Sequence, residues 1–411
     1  MRADRRRGYG LDPARERAGG PYGEDADLVE TSVRAMLANQ QPSGAFIASP
    51  DFPQYHYCWL RDASFVAHAL DRIGELGASA RYHDWVVTAL EGIAPAMEAA
   101  MREHRAGREL EPAEMPPARF SLAGLAVADN WPNFQMDGYG IWLWSLQQHL
   151  HASGTEHVAE RALPSVERTA RYLATFALSP CFDVWEEDGQ SVHTSTLACA
   201  YGGLMAAASL LDRADMADRA EEVQAVVLER GRRAGRFEKS SANREVDASS
   251  IWLSVPFALV DAFHPALVET AAEIAGRLEF EGGIRRYPGD TYFGGGAWPL
   301  LSASLGWHYA SLGDIASARV HHEWIAGHFD VEGRLGEQYG GEHRDPVMYR
   351  EWVSSWGHPA KELLWSHAMF VILSGALASA APERSFDRST DRSTDSGEPN
   401  DLQAEPNERS S

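Results

Sequence analysis

The chain has 411 residues, 44% of them hydrophobic, and a formal net charge of -22. That is apolar material for one large domain or two ordinary ones and excludes a disordered protein; the acidic balance argues against nucleic acid or anionic membrane as partners. Cys58, Cys181 and Cys199, odd in number and without a CxxC spacing, argue against a disulfide framework and a zinc site, and no uninterrupted run of 18 apolar residues marks a membrane span.

Residues 1–24 are rich in Arg, Gly and Pro and read as a flexible segment. Their basic start is followed by no apolar run of signal-peptide length, so a cytoplasmic location is expected. From there apolar residues recur at helical spacing. They predict twelve helices, at about 27–40, 63–76, 79–104, 136–153, 157–177, 193–212, 215–235, 247–262, 265–278, 298–312, 314–328 and 362–380. Residues 383–411 repeat the unit DRST and continue through Ser, Asp, Glu, Pro and Asn. They are expected to be a disordered tail, leaving 25–382 as one domain.

The connections alternate. Those from an even helix to the next odd one are short, such as 74–77 and 213–215, whereas those entering even helices are long or crowded with Trp, Tyr, Arg, Asp and Glu. Twelve helices with that alternation predict an all-α (α/α)6 toroid, six inner and six outer helices, with the rich loops at one mouth. Function is expected in that funnel. The thirteen Trp residues agree with it, because a flat apolar ring covers the C–H face of a pyranose, while a buried indole N–H needs a partner.

Five crowded segments carry candidate chemistry. In 46–62, Tyr55, Tyr57 and Trp59 alternate before Arg61 and Asp62. Asp62 reads either as a helix cap or, with Arg61, as a hydroxyl-binding pair walled by Tyr55 and Trp59. In 129–138, Trp131, Gln135 and Asp137 share a Pro-containing turn, with Asp137 again a possible cap. In 181–189, Glu186 and Glu187 follow Trp185. Two adjacent carboxyls beside an apolar ring are expected to raise the proton affinity of the more buried one, as a general acid requires; acidic residues at an exposed helix start are the other reading. In 283–298, Arg286, Asp290 and Trp298 flank a Gly-Gly-Gly turn that would let backbone approach a ligand. In 332–339, Glu337 stands alone among small and neutral neighbours, and the connection to Trp365-Ser366-His367 carries His343, Tyr349, Trp352 and Trp356, a lid over a cleft.

The segments YHYCWLRDA, NWPNFQMDG, DVWEEDG, RRYPGDTYFGGGAW and GEQY followed by WSHA resemble glycoside hydrolase family 15, the glucoamylase-like enzymes, in order and spacing over roughly residues 28–380. The resemblance implies an (α/α)6 barrel that removes glucose from non-reducing ends with inversion, without metal or cofactor. It implies Glu186 as general acid and Glu337 as general base. It also implies Arg61 and Asp62 holding the terminal glucose beside Tyr55 and Trp59, Arg286 and Glu187 binding substrate, and Trp131 and Trp365 as cleft aromatics. Inversion implies carboxyls about 6.5–9.5 Å apart, with Glu186 protonated and Glu337 ionised. The chain shows neither the N-terminal β-sandwich of many bacterial members nor a starch-binding module, so the substrate expected is a small α-glucoside of the isomaltose type. Malto-oligosaccharides and trehalose remain alternatives. A sugar epimerase using His56, His358 and His367 is a remote one, and a non-catalytic sugar-binding protein is disfavoured by the presence of both carboxylates.

Overall fold

The computed structural model describes residues 25–127, 129–155 and 157–380. The ends expected to be flexible, 1–24 and 383–411, lie outside the described residues. The first seven helices in chain order are α1 (Ala26–Ala38), α2 (Leu60–Arg72), α3 (Leu76–Gly92), α4 (Ala94–Arg105), α5 (Asp137–Ala152), α6 (Leu163–Phe176) and α7 (Thr194–Leu211). Then come α8 (Ala214–Ala234), α9 (Pro265–Arg277), α10 (Pro299–Ser311), α11 (Ile315–Ala326), α12 (Gly341–Arg344), α13 (Pro346–Trp356) and α14 (Leu364–Ala380). Sheet is confined to two antiparallel pairs among the described residues, β1 (Cys58–Trp59) with β2 (Arg119–Phe120) and β3 (Glu279–Phe280) with β4 (Gly283–Ile284).

Six elements close a ring. α2 packs on α5, α5 on α7, α7 on the 3-10 turn Ala248–Leu253, that turn on α10, α10 on α14, and α14 returns to α2. Outside them, α1 covers α14, α3 covers α2, α6 and α8 cover α7, α9 covers the 3-10 turn, and α11 covers α10. This is the (α/α)6 toroid. An inner helix has neighbours on every side, so it reads apolar all round instead of amphipathic. Buried residues cover nearly the whole of α2, most of α14 and two thirds of α7. For the same reason α7 is long and apolar enough to cross a membrane by length and composition, although 67% of it is buried in the barrel. Inner-ring serines satisfy their hydroxyls on the preceding turn, Ser304 to the Leu300 carbonyl (2.8 Å) and Ser374 to that of Phe370 (2.9 Å).

The structure departs from the expected helices in three places, each with a local cause. The helix expected over 79–104 breaks at Ile93, because Pro95 lacks an N–H and starts α4 instead. The helix expected over 247–262 is only the 3-10 turn Ala248–Leu253: Pro256 cannot continue the ladder, and the residue before it is biased away from the α region. The connection 340–361, expected to be a loop, holds α12 and α13; Asp345 caps α13 through the Met348 N–H (3.0 Å), and Pro346 occupies its first position.

The tightest crossing is α5 on α7. A Cβ at Gly140 would stand 2.2 Å from the Cys199 carbonyl oxygen, and one at Gly203 would stand 2.6 Å from the Gly140 Cα. Ala has the higher helix propensity by up to about 1 kcal/mol, yet backbone cannot yield to such a contact. Gly140→Ala is therefore expected to destabilise the fold by about 1–3 kcal/mol or more after that gain, read as a lower denaturant midpoint. An unchanged or raised midpoint would show that the helices can part.

Candidate active site

The inner helices begin at one mouth, and twelve of the thirteen residues expected at the site line one cavity there. These are Tyr55, Trp59, Arg61, Asp62, Trp131, Trp185, Glu186, Glu187, Arg286, Trp298, Glu337 and Trp365, around a space of about 310 Å³. Gln135 stands just behind them, bonded to two of the lining residues. The structure adds Tyr292, Trp352 and Trp356, among others, to the wall.

On one side, three donors converge on a single oxygen of Glu186. The Trp59 Nε1 donates to Oε1 at 2.7 Å, the Gln135 Nε2 at 3.1 Å, and an Arg61 amino group lies 3.7 Å away. Glu186 itself sits at φ +68°, a left-handed conformation unusual for a residue with a side chain. That turn sends the two neighbouring carboxyls to different partners. Glu187 faces Arg286 (3.3 Å) and accepts a hydrogen bond from the Tyr287 hydroxyl, while the Trp185 indole donates to Asp247 (2.9 Å). The expectation of Glu186 pressed between Trp185 and Glu187 is thus corrected: Trp59, Gln135 and Arg61, distant in sequence, form its surroundings.

Arg61 organises this side. It is buried, and bonds Asp137 (2.8 Å), Gln135 (3.1 Å) and Asp62 (3.2 Å), with its guanidinium over the Trp365 ring at 5.6 Å. Neither Asp62 nor Asp137 caps its helix through its side chain; both serve as counter-charges. Burial pushes the Asp62 carboxyl up to about 6 despite Arg61 beside it, with Glu186 and Asp137 adding to the rise.

On the other side stands Glu337, which is 1% exposed and not the solvated loop residue its neutral neighbours suggested. Its backbone N–H bonds the Ala360 carbonyl (2.9 Å), and its neighbour Tyr339 pairs reciprocally with Ala297. The Tyr55 hydroxyl donates to Glu337 Oε1 at 2.7 Å and lies 2.8 Å from the Tyr292 hydroxyl. Oε2 is buried and has no hydrogen-bond partner among the described residues. Burial pushes this carboxyl up to about 8, against the lowering effects of Tyr55 and Arg286. Burial thus favours the protonated form of this carboxyl, whereas the expected base role requires the ionised one. Tyr292 was missed because a tyrosine inside a glycine-rich turn carries no motif of its own.

The glycine turn does not approach the cleft. A Cβ at Gly294, where φ is +78°, would stand 2.2 Å from the Gly341 carbonyl, so the turn packs against the segment leading into α13. Arg286 is locked by both oxygens of Asp290, its Nε at 2.9 Å. On α13, Trp352 and Trp356 line the cavity and Tyr349 packs on Phe293, while His343 of α12 faces Glu281 outside it. His56, His358 and His367 are absent from the cavity wall; His367 is buried and accepts from the Leu335 N–H. Asp71, His83 and His149 are close enough to hold a metal. Asp71 lies ten residues down α2 from Arg61, roughly 15 Å along the helix, and already bonds His149 (2.8 Å) and Ser79 (3.0 Å).

The raised Glu337 has a linkage consequence. Folded Glu337 keeps its proton up to about 8, whereas the free side chain loses it near 4.5. Its contribution to stability is fully present below 4.5 and lost as pH rises through about 8, because the unfolded state binds fewer protons in that window. Glu337→Gln cannot ionise. It is expected to gain stability relative to wild type between pH 5 and pH 8.5, by at most about 5 kcal/mol. Denaturant titrations at the two pH values check this, and a pH-independent difference would contradict it.

The sequence matches the family described as glycosyl hydrolases family 15 over residues 23–319. It is 35% identical over 363 residues to the isomaltose glucohydrolase of Kribbella flavida, covering 87% of this chain and 94% of that protein. A wild-type glycosidase of known structure, also 35% identical, superposes with a TM-score of 0.82 over 91% of this chain and 100% of that one, and a glycosidase variant solved in complex with glucose matches to the same extent. The glucoamylase of Saccharomycopsis fibuligera, 15% identical, shares the fold with a TM-score of 0.65 over 86% of this chain and 94% of its own. This chain belongs to glycosyl hydrolases family 15 and is a glycosidase on an (α/α)6 barrel.

Proposed function

We propose that the protein is an inverting, exo-acting α-glucoside hydrolase that releases β-glucose from the non-reducing end of small α-glucosides of the isomaltose type. One observation carries the reading: two carboxyls in one aromatic-walled cavity are held by separate sets of partners, each with one oxygen engaged and the other outside those bonds. In this reading Arg61 and Asp62 bind hydroxyls of the terminal glucose, and Trp59, Trp131, Trp298 and Trp365 cover its apolar faces. Glu186 passes a proton to the glycosidic oxygen as the bond from C1 to that oxygen breaks. A water attacks C1 from the opposite face and gives its proton to Glu337 Oε2. The product is β-glucose and the freed alcohol, and both carboxyls then exchange protons with solvent to reset the pair.

The substrate size is supported by the wall. Trp352 and Trp356 of α13 close over a cavity near the lower end of the 300–1,000 Å³ typical of ligand sites, which favours short glucosides over a polymer. The linkage is supported by likeness to an isomaltose glucohydrolase over 94% of that protein's length.

NMR of the first product from isomaltose, with maltose, trehalose and dextran as comparisons, tests the reading. β-Glucose released fastest from isomaltose is expected, and α-glucose as first product would overturn inversion. Glu186→Gln and Glu337→Gln should each lower kcat on disaccharides by about 10²–10⁴-fold; retained turnover in either removes its assignment. The base must be ionised in the free enzyme, so the rising limb of kcat/KM is expected well above the usual carboxylate range, toward about 8. Tyr55 donates to the charged form of Glu337, so Tyr55→Phe should move that limb to still higher pH; a downward shift would contradict the geometry.

A further inference from the structure

The turn carrying Glu186 rests on a buried charge cluster that family resemblance and cavity lining leave unassigned. Asp183 holds the turn from below. Its Oδ1 accepts the backbone N–H groups of Trp185 and Glu187 at 2.9 Å each, and its carbonyl accepts that of Glu186 at 2.9 Å. Its other oxygen takes the Lys239 ammonium at 2.7 Å. That ammonium also bonds Asp247 Oδ2 at 2.9 Å, the same oxygen that receives the Trp185 indole. Lys239 therefore ties together the two carboxylates that grip Trp185 by its backbone and by its ring.

We infer that Lys239 is a positioning residue for Glu186, fixing the left-handed turn that aims its carboxyl at the scissile oxygen; this rests on the reading of Glu186 as general acid. Lys239 is placed rigidly. Its N–H bonds the Glu245 carbonyl (2.8 Å), its carbonyl accepts the Thr194 N–H (3.0 Å), and the ring of Tyr287 faces the ammonium at 4.1 Å. Its side chain is 5% exposed, as buried as the carboxylates it joins. Burial disfavours the ammonium, but the charges of Asp247 and Asp183 outweigh that and hold it protonated. His193 completes the surroundings, with Nδ1 4.0 Å from Asp183 and Nε2 on the Asp188 carbonyl.

Without the ammonium, two buried carboxylates face each other with no intervening cation and must part or take up a proton. Either change loosens Asp183 from the turn. Glu186 then relaxes from positive φ, and its carboxyl leaves Trp59 and Gln135. Glu337 shares no hydrogen-bond partner with Lys239; its partners are Tyr55 and the Ala360 carbonyl. The defect should therefore fall on proton donation and spare water activation.

Leaving-group dependence separates this from a merely structural role. An alkoxide leaving group needs the acid's proton, whereas fluoride leaves with little help. Lys239→Met is expected to lower kcat on isomaltose by about 10- to 100-fold while changing kcat on α-glucosyl fluoride by less than about 3-fold, the skew that Glu186→Gln should show more strongly. Equal losses on both substrates, or no loss on isomaltose, would overturn the inference. If Lys239→Met does not fold, Asp247→Asn carries the test: it keeps the side-chain shape, weakens the grip on the ammonium, and should show the same skew at smaller size, its absence being the contrary result. Equal losses in Glu186→Gln would remove the acid assignment and this inference together, whereas a skewed Glu186→Gln beside an unskewed Lys239→Met would remove this inference alone.

Discussion

The mouth of the barrel depends on one buried cation. Arg61 sits at the start of α2 with almost no access to solvent, and a guanidinium in such a place requires counter-charge and hydrogen-bond acceptors on every side. It takes Asp62 from its own helix, Asp137 from the first turn of α5, and Gln135 from the loop before it, with the Glu186 carboxyl close by. The requirement to surround this charge draws two inner helices and the turn that carries Glu186 into register. It also gives Gln135 its orientation, so that the same amide accepts from Arg61 and donates to Glu186. Arg286 plays the corresponding part opposite, between Asp290 and Glu187.

Much of this arrangement was legible in the sequence, because a ring of helix pairs prints a regular pattern. Inner helices are apolar all round, and each is preceded by a loop dense in functional side chains, so the number and order of elements alone point to the toroid. The failures follow the physics that such counting ignores. Pro95 and Pro256 interrupt helical periodicity by removing an N–H, which an apolar pattern does not register. α13 reads as a lid loop because its aromatic residues are only partly buried, although Tyr349, Trp352 and Val353 recur at helical spacing and pack against Phe52 and Phe293; its other signals are the cap at Asp345 and the proline after it.

At the site, residue types were readable and partnerships were not. Glu186 and Glu187 are neighbours in sequence but face different cations, because a single positive φ separates them. Glu337 looked solvated because its burial comes entirely from segments far along the chain, through Tyr55 and the Ala360 carbonyl. Lys239 and Asp247 were invisible as a pair, since nothing about a lysine after α8 announces that it will be enclosed by two aspartates. The electrostatic asymmetry of the two carboxyls also belongs to tertiary structure: several donors meet at one, and a nearly dry wall encloses the other.

The left-handed backbone at Glu186 has an evolutionary side. A residue with a Cβ held at positive φ costs on the order of 1 kcal/mol more than glycine would, and a carboxyl sealed away as Glu337 is adds a second burden. Under the proposed roles both strains fall on the groups that perform the chemistry, so glycine at 186 or a neutral residue at 337 would relax the scaffold. For copies of this gene freed from selection for catalysis, the slope of stability runs toward inactivity. Inactive descendants that keep the barrel and its aromatic funnel intact are then the natural products of drift, and sugar-binding proteins are one thing such a lineage is prepared to become.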